Sequence, residues 1–493
     1  MPSITSTVPP LAGRHSAAPA ATHPSAADAA AADTTRYAVF CALWAIATLF
    51  HMAQSRLYTT QLHYLLLTLA ALAVLAKPSS IVRLLALIGL QLYEVFSRLP
   101  DISNHWLFTT FVNLTILQAL VWTAFKERRL SVDRGALLRA FAPAVRLELL
   151  ILYFFVVLHK LNWAFLSPSA SCAAMLYKAQ HAEALLPSSP AFILANIYLT
   201  LVIETLIPVL LIFRQTRTIG LVVGLVFHCV IAFNSYNGFY DFSSMIFAVY
   251  FLFTSYTFIS TLRQFRSNSF SIWHIIKQRF SNFSFSHGAF WILVFAVFIG
   301  SIKVVTKVST DYFRLVWGAY SFLYILLLLL SLYKARQYFP TRTFSLPHAL
   351  FLLFPLLVFL NGISPYIGLK TESSFAMFSN LRTEGGITNH LFIPVKAQVF
   401  GFQRDMIEVI ASSDTELQHI ADEGKLITFF QLKNRIADVR PARVEYVRNG
   451  QHRTFALATA SPNDELLHKS PSLLRKFMRF RMINKVDPQP CQH

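Results

Sequence analysis

Charge is scarce in this chain. Only 14% of its 493 residues are Asp, Glu, Lys or Arg, where an ordinary soluble domain has about 25%. Hydrophobic residues make up 55%, and the mean hydropathy is +0.50. The length alone would allow several soluble domains side by side, but this deficit excludes them. Acidic residues are scarcer than basic ones, 24 against 43, for a formal net charge of +19. Such an excess marks a nucleic-acid binder only where it clusters on a folded soluble face. Cysteine is sparse too: Cys41, Cys172, Cys229 and Cys491 lie far apart with no C-x-x-C pair, so neither a disulfide scaffold nor a structural zinc site is expected. No G-x-x-x-x-G-K-[ST], H-E-x-x-H or G-x-S-x-G motif occurs, which leaves P-loop hydrolysis, zincin proteolysis and that esterase elbow without support. The 16 histidines are scattered, and no metal site is expected.

What is present is a train of apolar runs between Tyr37 and Leu369. Each is long enough to cross a hydrocarbon core of roughly 30 Å as a helix. The runs predict about eleven spans (nine at the fewest), near 37–53, 62–76, 81–97, 105–125, 140–160, 191–213, 218–237, 243–260, 287–305, 312–333 and 347–366. The expected fold is therefore an all-α polytopic membrane helix bundle, residues 36–369. It is preceded by an Ala/Ser/Thr/Pro-rich disordered tail over residues 1–35. Residues 370–493 hold seventeen Lys or Arg against thirteen Asp or Glu and no membrane-length run, which predicts a small α+β soluble domain. Within it, Ser413-Asp414 followed by Glu416 reads as a helix start, and Asn449-Gly450 between alternating runs as a β-hairpin.

The basic residues sort by face. Segments 126–139, 214–217, 263–279 and 334–342, with Lys77, hold fifteen Lys or Arg, and they fall on one side of the predicted bundle. The other side has seven, namely Arg56, Arg98, Lys160, Lys178, Lys303, Lys307 and Arg314. Because cytoplasmic loops are enriched in Lys and Arg, the N-terminus is expected in the cytoplasm of a multi-pass plasma or endoplasmic reticulum membrane. The 161–190 connection and the C-terminal domain then lie outside or in a lumen. Read this way, the +19 is topological information rather than a nucleic-acid footprint.

Ionisable groups inside spans are costly and so mark candidate sites. His228 and Glu204 sit at similar depths in successive spans and are placed to meet, as a structural pair or as a polar path. Arg146 and Glu148 read as packing or interfacial charges. Lys160, in Tyr153-Phe154-Phe155-Val156-Val157-Leu158-His159-Lys160-Leu161-Asn162-Trp163, and His105, in Ser103-Asn104-His105-Trp106, fall at the outer ends of their spans. An aromatic belt with a snorkelling lysine has the same composition. A lysine held instead in an apolar pocket is a usable base near neutral pH.

Three stretches together carry a resemblance: Asn104-His105, Tyr153 to Leu166 with its His159-Lys160-Leu161-Asn162-Trp163 core, and Phe227-His228-Cys229 followed by Asn237-Gly238-Phe239. Over roughly residues 37–370 the chain resembles the horizontally transferred transmembrane domain family, that of the vitamin K-dependent gamma-carboxylases. The resemblance implies a lyase-type reaction. Lys160 would deprotonate a reduced naphthoquinone-type quinol, which reacts with dioxygen to give a strong base. That base takes a proton from a glutamate side chain of a peptide or protein substrate, and the carbanion captures carbon dioxide. The same resemblance implies that His105 supports the glutamate step, with Asn104 and His228 at the quinol. The chain departs from the family pattern where His159 replaces the first lysine of its pair, Asn162 replaces its aspartate, and the outer domain is much smaller. Processive carboxylation of a protein is therefore not implied. The polar, Gly-containing run that includes Arg382, Glu384, Asn389 and His390 is expected to form a lid or substrate contact, or else a plain linker. Two other classes compete: a transporter with Glu204 and His228 on its path, and a non-catalytic scaffold or receptor.

Overall fold

The computed structural model describes residues 26–55, 61–129, 131–181, 186–235, 238–267, 312–334, 337–339 and 343–491. Helices α1 (Ala26–Ser55), α2 (Leu62–Ala76), α3 (Ile81–Arg98), α4 (Asn104–Glu127) and α5 (Arg134–Lys160) come first. Two short helices follow, α6 (Trp163–Leu166) and α7 (Cys172–Ala179), and then α8 (Pro190–Ile212), α9 (Arg217–Ile231), α10 (Tyr240–Phe251) and α11 (Tyr256–Ser267). The helical part closes with α12 (Tyr312–Lys334) and α13 (Leu353–Ile363).

Among the described residues, five helices are long and apolar enough to cross a membrane, or six if the bent pair α10–α11 is one span. Fewer than the expected eleven runs therefore meet this test among the described residues. The 287–305 run, the 268–279 part of the basic segment, Lys303 and Lys307 lie outside the described residues. The 62–76, 218–237 and 347–366 runs form apolar helices of 15 residues or fewer. The 243–260 run breaks between α10 and α11, which meet at 111°. Hydropathy averages cannot see this corner, which side chains from elsewhere create. Arg36 donates to the carbonyls of Leu252 and Thr254 at 3.0 and 3.2 Å, and Arg146 donates to Leu252 from Nε and Nη2. These guanidiniums satisfy carbonyls that the end of α10 leaves unpaired. Arg146 is thus a packing residue, as is Glu148, which is fully buried and accepts from Thr115 at 2.5 Å.

The start of α1 differs from the sequence expectation as well. It reaches back to Ala26, into the stretch read as a tail, because Ala has the highest helix propensity and Asp33 is anchored by Arg139 at 3.0 Å and by Tyr256 at 3.1 Å. α10 is buried at every residue from Ser243 to Phe251, as its all-round apolar composition requires, and it packs on α1, α4, α5 and α9. α8, by contrast, leaves Leu199, Val202, Leu206 and Val209 exposed, an apolar outer surface.

The C-terminal part contains a five-stranded antiparallel sheet in the order β4-β3-β1-β2-β5, with β1 Met406–Ser412, β2 Lys425–Thr428, β3 Arg443–Arg448, β4 Gln451–Ala456 and β5 Ile483–Asn484. Helices α14 (Thr415–Asp422) and α15 (Phe429–Val439) pack on it over a core that includes Ile407, Leu417, Leu432 and Val444. The expected helix start is present: Asp414 caps α14 by accepting from Leu417 N at 3.1 Å. The expected hairpin is present too, with Arg448 paired to Gln451 across Asn449 and Gly450, both at positive φ as a type I′ turn demands. Residues 371–391, expected to belong to the outer domain, bond to Gln403, Arg479 and Arg481 of that part and also pack on the ends of α4 and α5, with Phe375 and Phe378 joining the helical core.

A disulfide joins Cys172 to Cys491, a single long-range bond where no disulfide scaffold was expected. Their separation of 319 residues hides the pair from any spacing rule. The bond ties the chain's last described residue to the first turn of α7. Replacing Cys491 with Ser is expected to cost about 2–4 kcal/mol, read as a lower thermal midpoint in detergent that wild type reproduces under reductant. An unchanged midpoint in both would show that the bond does not hold the fold.

Candidate functional site

The last turn of α5 is held from all sides. Its terminal carbonyls have no helical partners, and the 379–391 segment supplies them. His390 Nε2 reaches Leu158 O at 3.0 Å, Leu391 N donates to Leu161 O at 2.9 Å, and Asn162 Nδ2 donates to His159 O at 2.8 Å and Ser379 O at 2.6 Å. Asn162 Oδ1 then accepts from Phe165 N at 2.9 Å, starting α6. His159 is buried between Tyr366 Oη at 2.8 Å and Ser374 O at 3.0 Å. Lys160 is therefore pinned rather than snorkelling, with only 5% of its surface exposed.

Its Nζ lies 2.5 Å from both carboxylate oxygens of Glu204 on α8 and 5.8 Å above the Phe165 ring. The pair faces a cavity of about 240 Å³ bounded by α5, α7, α8, α9 and α10, with Met377 and Phe378. Most of the wall is apolar: Leu152, Val156, Leu176, Ile203, Phe227, Phe239, Phe242 and Ile246. A 150 Å³ apolar cavity admits benzene, so this one accommodates a one- or two-ring head group. Leu199 and Val230 line it and are also exposed on the outer surface, so the wall is thinnest between α8 and α9.

His228 lines the same cavity, but its partner is not Glu204. Nε2 meets Tyr153 Oη at 2.7 Å, and Tyr153 Oη makes a short hydrogen bond with Tyr250 Oη. His228 Nδ1 is buried with no hydrogen-bond partner among the described residues. Gly224 makes room for this arrangement, since a Cβ there would lie 2.5 Å from Tyr250 Oη. Gly224→Ala is expected to displace Tyr250, costing about 1–3 kcal/mol by overpacking and lowering ligand affinity; wild-type melting and affinity would exclude that role.

The other predicted residues go elsewhere. His105 does not share the cavity with Lys160. Its Nε2 lies 2.8 Å from Asp241 Oδ2, in a neighbouring cluster with His51, and Phe242 stands between the two sites, 6.1 Å from the His105 ring and 5.3 Å from the His228 ring. Asn104 accepts from Phe375 N at 2.6 Å and anchors the 371–391 segment. The four residues expected at a lid are instead consumed internally. Arg382 is buried and pairs with Asp487 at 3.4 Å. Glu384 accepts from Thr371 Oγ1, Thr383 N and Arg481 N, with burial raising its pKa against those donors. Asn389 bridges Asn380 O and Asn162 Oδ1. His390, its pKa lowered by burial, caps α5. Asn389 and His390 hold the end of α5 that carries Lys160, and none of the four lines the cavity.

Sequence reasoning missed Glu204 as the partner of Lys160, along with Tyr153, Tyr250, His51 and Asp241. Tyr153 lies close to two helical turns before Lys160, a spacing that places both toward one face; the others had no local signal. The fold and site define a multi-helix protein, compatible with a membrane, that carries a buried Lys–Glu pair on an apolar cavity. No family model, curated protein or solved structure matches the chain.

Proposed function

We propose that this is a multi-pass membrane enzyme of the horizontally transferred transmembrane domain type, with about eleven spans and a lumenal or external C-terminal domain. It takes a lipid-soluble quinol into the Lys160 cavity and removes a proton from it. The carrying observation is the Lys160–Glu204 pair buried on the wall of an otherwise apolar chamber. With the pair's shared proton resting on Glu204, the neutral Lys160 amine takes the quinol's proton, and the ammonium so formed faces the new oxyanion. A dry site protects a strong base formed later from water. Dioxygen and carbon dioxide are the co-substrates if the chemistry proceeds to carboxylation. The Cys172–Cys491 bond supports an oxidising compartment for that side. The test is oxidation of a reduced naphthoquinone by purified protein in lipid nanodiscs. Turnover above background in wild type supports the reading, and none across short- and long-tailed quinols overturns it.

Transport is favoured by a different observation, the placement of Glu204 and His228 on one cavity. Proton or solute flux in liposomes that depends on Glu204, without quinol oxidation, would select it.

A further inference from the structure

Three potential metal ligands meet where α1, α4 and α10 converge. His51 Nδ1 is 2.6 Å from Asp241 Oδ2, and His105 Nε2 is 2.8 Å from the same oxygen. The three ligand atoms all lie within 4.8 Å of one another. His51 and Asp241 are buried at 6% and 5% exposure. Beside them is a void of about 10 Å³ lined partly by Thr48, Gln91 and Thr109, enough for about one water-sized occupant.

Protons alone do not satisfy this group. Trp106 Nε1–H, a donor only, also makes a short contact with His51 Nδ1, while His51 Nε2 is buried with no partner among the described residues. If Nδ1 carries the ring proton, it donates to Asp241 Oδ2 but leaves the indole N–H facing an N–H, with the Nε2 lone pair unpaired. If Nε2 carries it, a buried donor is unpaired and the Nδ1 lone pair faces the carboxylate. In every protonation state Nδ1 faces one mismatched neighbour, the indole N–H or the carboxylate.

From this geometry we infer that His51, His105 and Asp241 bind a divalent transition-metal ion. The ion takes one lone pair from each imidazole and the carboxylate oxygen together, in place of the protons that otherwise hold His51 and His105 to Asp241; with the ion on Nδ1, the His51 ring proton sits on Nε2. Two imidazoles and one carboxylate suit zinc, iron, cobalt or manganese and disfavour calcium and magnesium, which prefer all-oxygen sets. Bonds of about 2.0–2.2 Å in a tetrahedral set put ligand atoms about 3.3–3.6 Å apart, so Asp241 Oδ2 and each imidazole nitrogen part by about 0.5–1.0 Å. Three protein ligands leave an open position toward the polar void. The inference does not rest on the quinol reading, because the two sites share no residue.

The experiment uses the full chain purified in detergent with a histidine-free tag. Elemental analysis is expected to find one transition-metal equivalent per chain. Chelation should lower the thermal midpoint, and Zn²⁺ or Co²⁺ should restore it, Co²⁺ with visible absorption bands. His105→Gln and Asp241→Asn should weaken Co²⁺ binding by about 100-fold or more, since even outer-shell changes cost about 10- to 100-fold. Lys160→Ala, which disables the proposed quinol chemistry, should keep the metal. If Asp241→Asn does not fold, His105→Gln, whose residue is the most accessible of the three, decides. A wild-type protein that neither shifts its midpoint nor develops a Co²⁺ spectrum overturns the proposal, and so does a His105→Gln protein that binds Co²⁺ as wild type does. Either result leaves a hydrogen-bonded His–Asp–His group.

Discussion

Lys160→Ala lowers quinol oxidation by about 10²- to 10⁴-fold, the range a positioned general base contributes. Lys160→Arg does not rescue it. The arginine keeps a positive charge beside Glu204, so the two variants separate charge from proton transfer, because a guanidinium does not give up its proton at any accessible pH. Initial rates should be measured on protein that retains its helical circular dichroism and elutes as wild type. Each variant also requires a saturation curve. A fall in kcat with little change in KM places Lys160 in the chemical step, whereas a rise in KM alone makes it a binding residue. Full activity in either variant removes Lys160 from the mechanism. The reason for so large an effect is geometric. Lys160 is the one lysine on the cavity wall among the described residues, and Asn162, His390 and Leu391 hold the end of α5 so that its ammonium cannot swing toward the exposed rim.

The sequence locates Lys160 well and its surroundings poorly. Helix boundaries come through because apolar runs, Ser and Asp caps and the Asn449-Gly450 turn are local. α2 and α3 begin at Leu62 and Ile81 as expected, and α4 and α8 lie within a residue or two of theirs. The corner between α10 and α11 is not local. It depends on Arg36 and Arg146, more than 100 residues away in the chain. Glu204 pairs with Lys160 rather than His228 because α8 packs beside α5 as well as α9, a choice of neighbours that depth along a span cannot make. His51 and Asp241, 190 residues apart, meet only because α1 packs along α10. The polar run around Arg382 and Asn389 looked like a lid because polar density at a helix end signals contact with something. Here that partner is the helix end itself, whose carbonyls need donors.

The same buried pair sets up the second large effect, on stability. Glu204→Leu alone strands the Lys160 ammonium, and Lys160→Met alone strands the Glu204 carboxylate. Their side chains are only 7% and 10% exposed, so water cannot take the partner's place. Each single variant is expected to lose about 3–5 kcal/mol, the cost of breaking a buried ion pair. The double variant, with two apolar side chains of similar volume on an already apolar wall, should recover to within about 1–2 kcal/mol of wild type, because it also removes the desolvation of both charges. Unfolding in mixed micelles gives the four corners of the cycle. The decisive comparison is stability against turnover: the double variant should be nearly as stable as wild type and inactive. That outcome would mean the pair is kept at this wall for its chemistry, since the fold holds without it. If the double variant instead loses the sum of the two single costs, the two side chains are not coupled and the cavity needs another explanation.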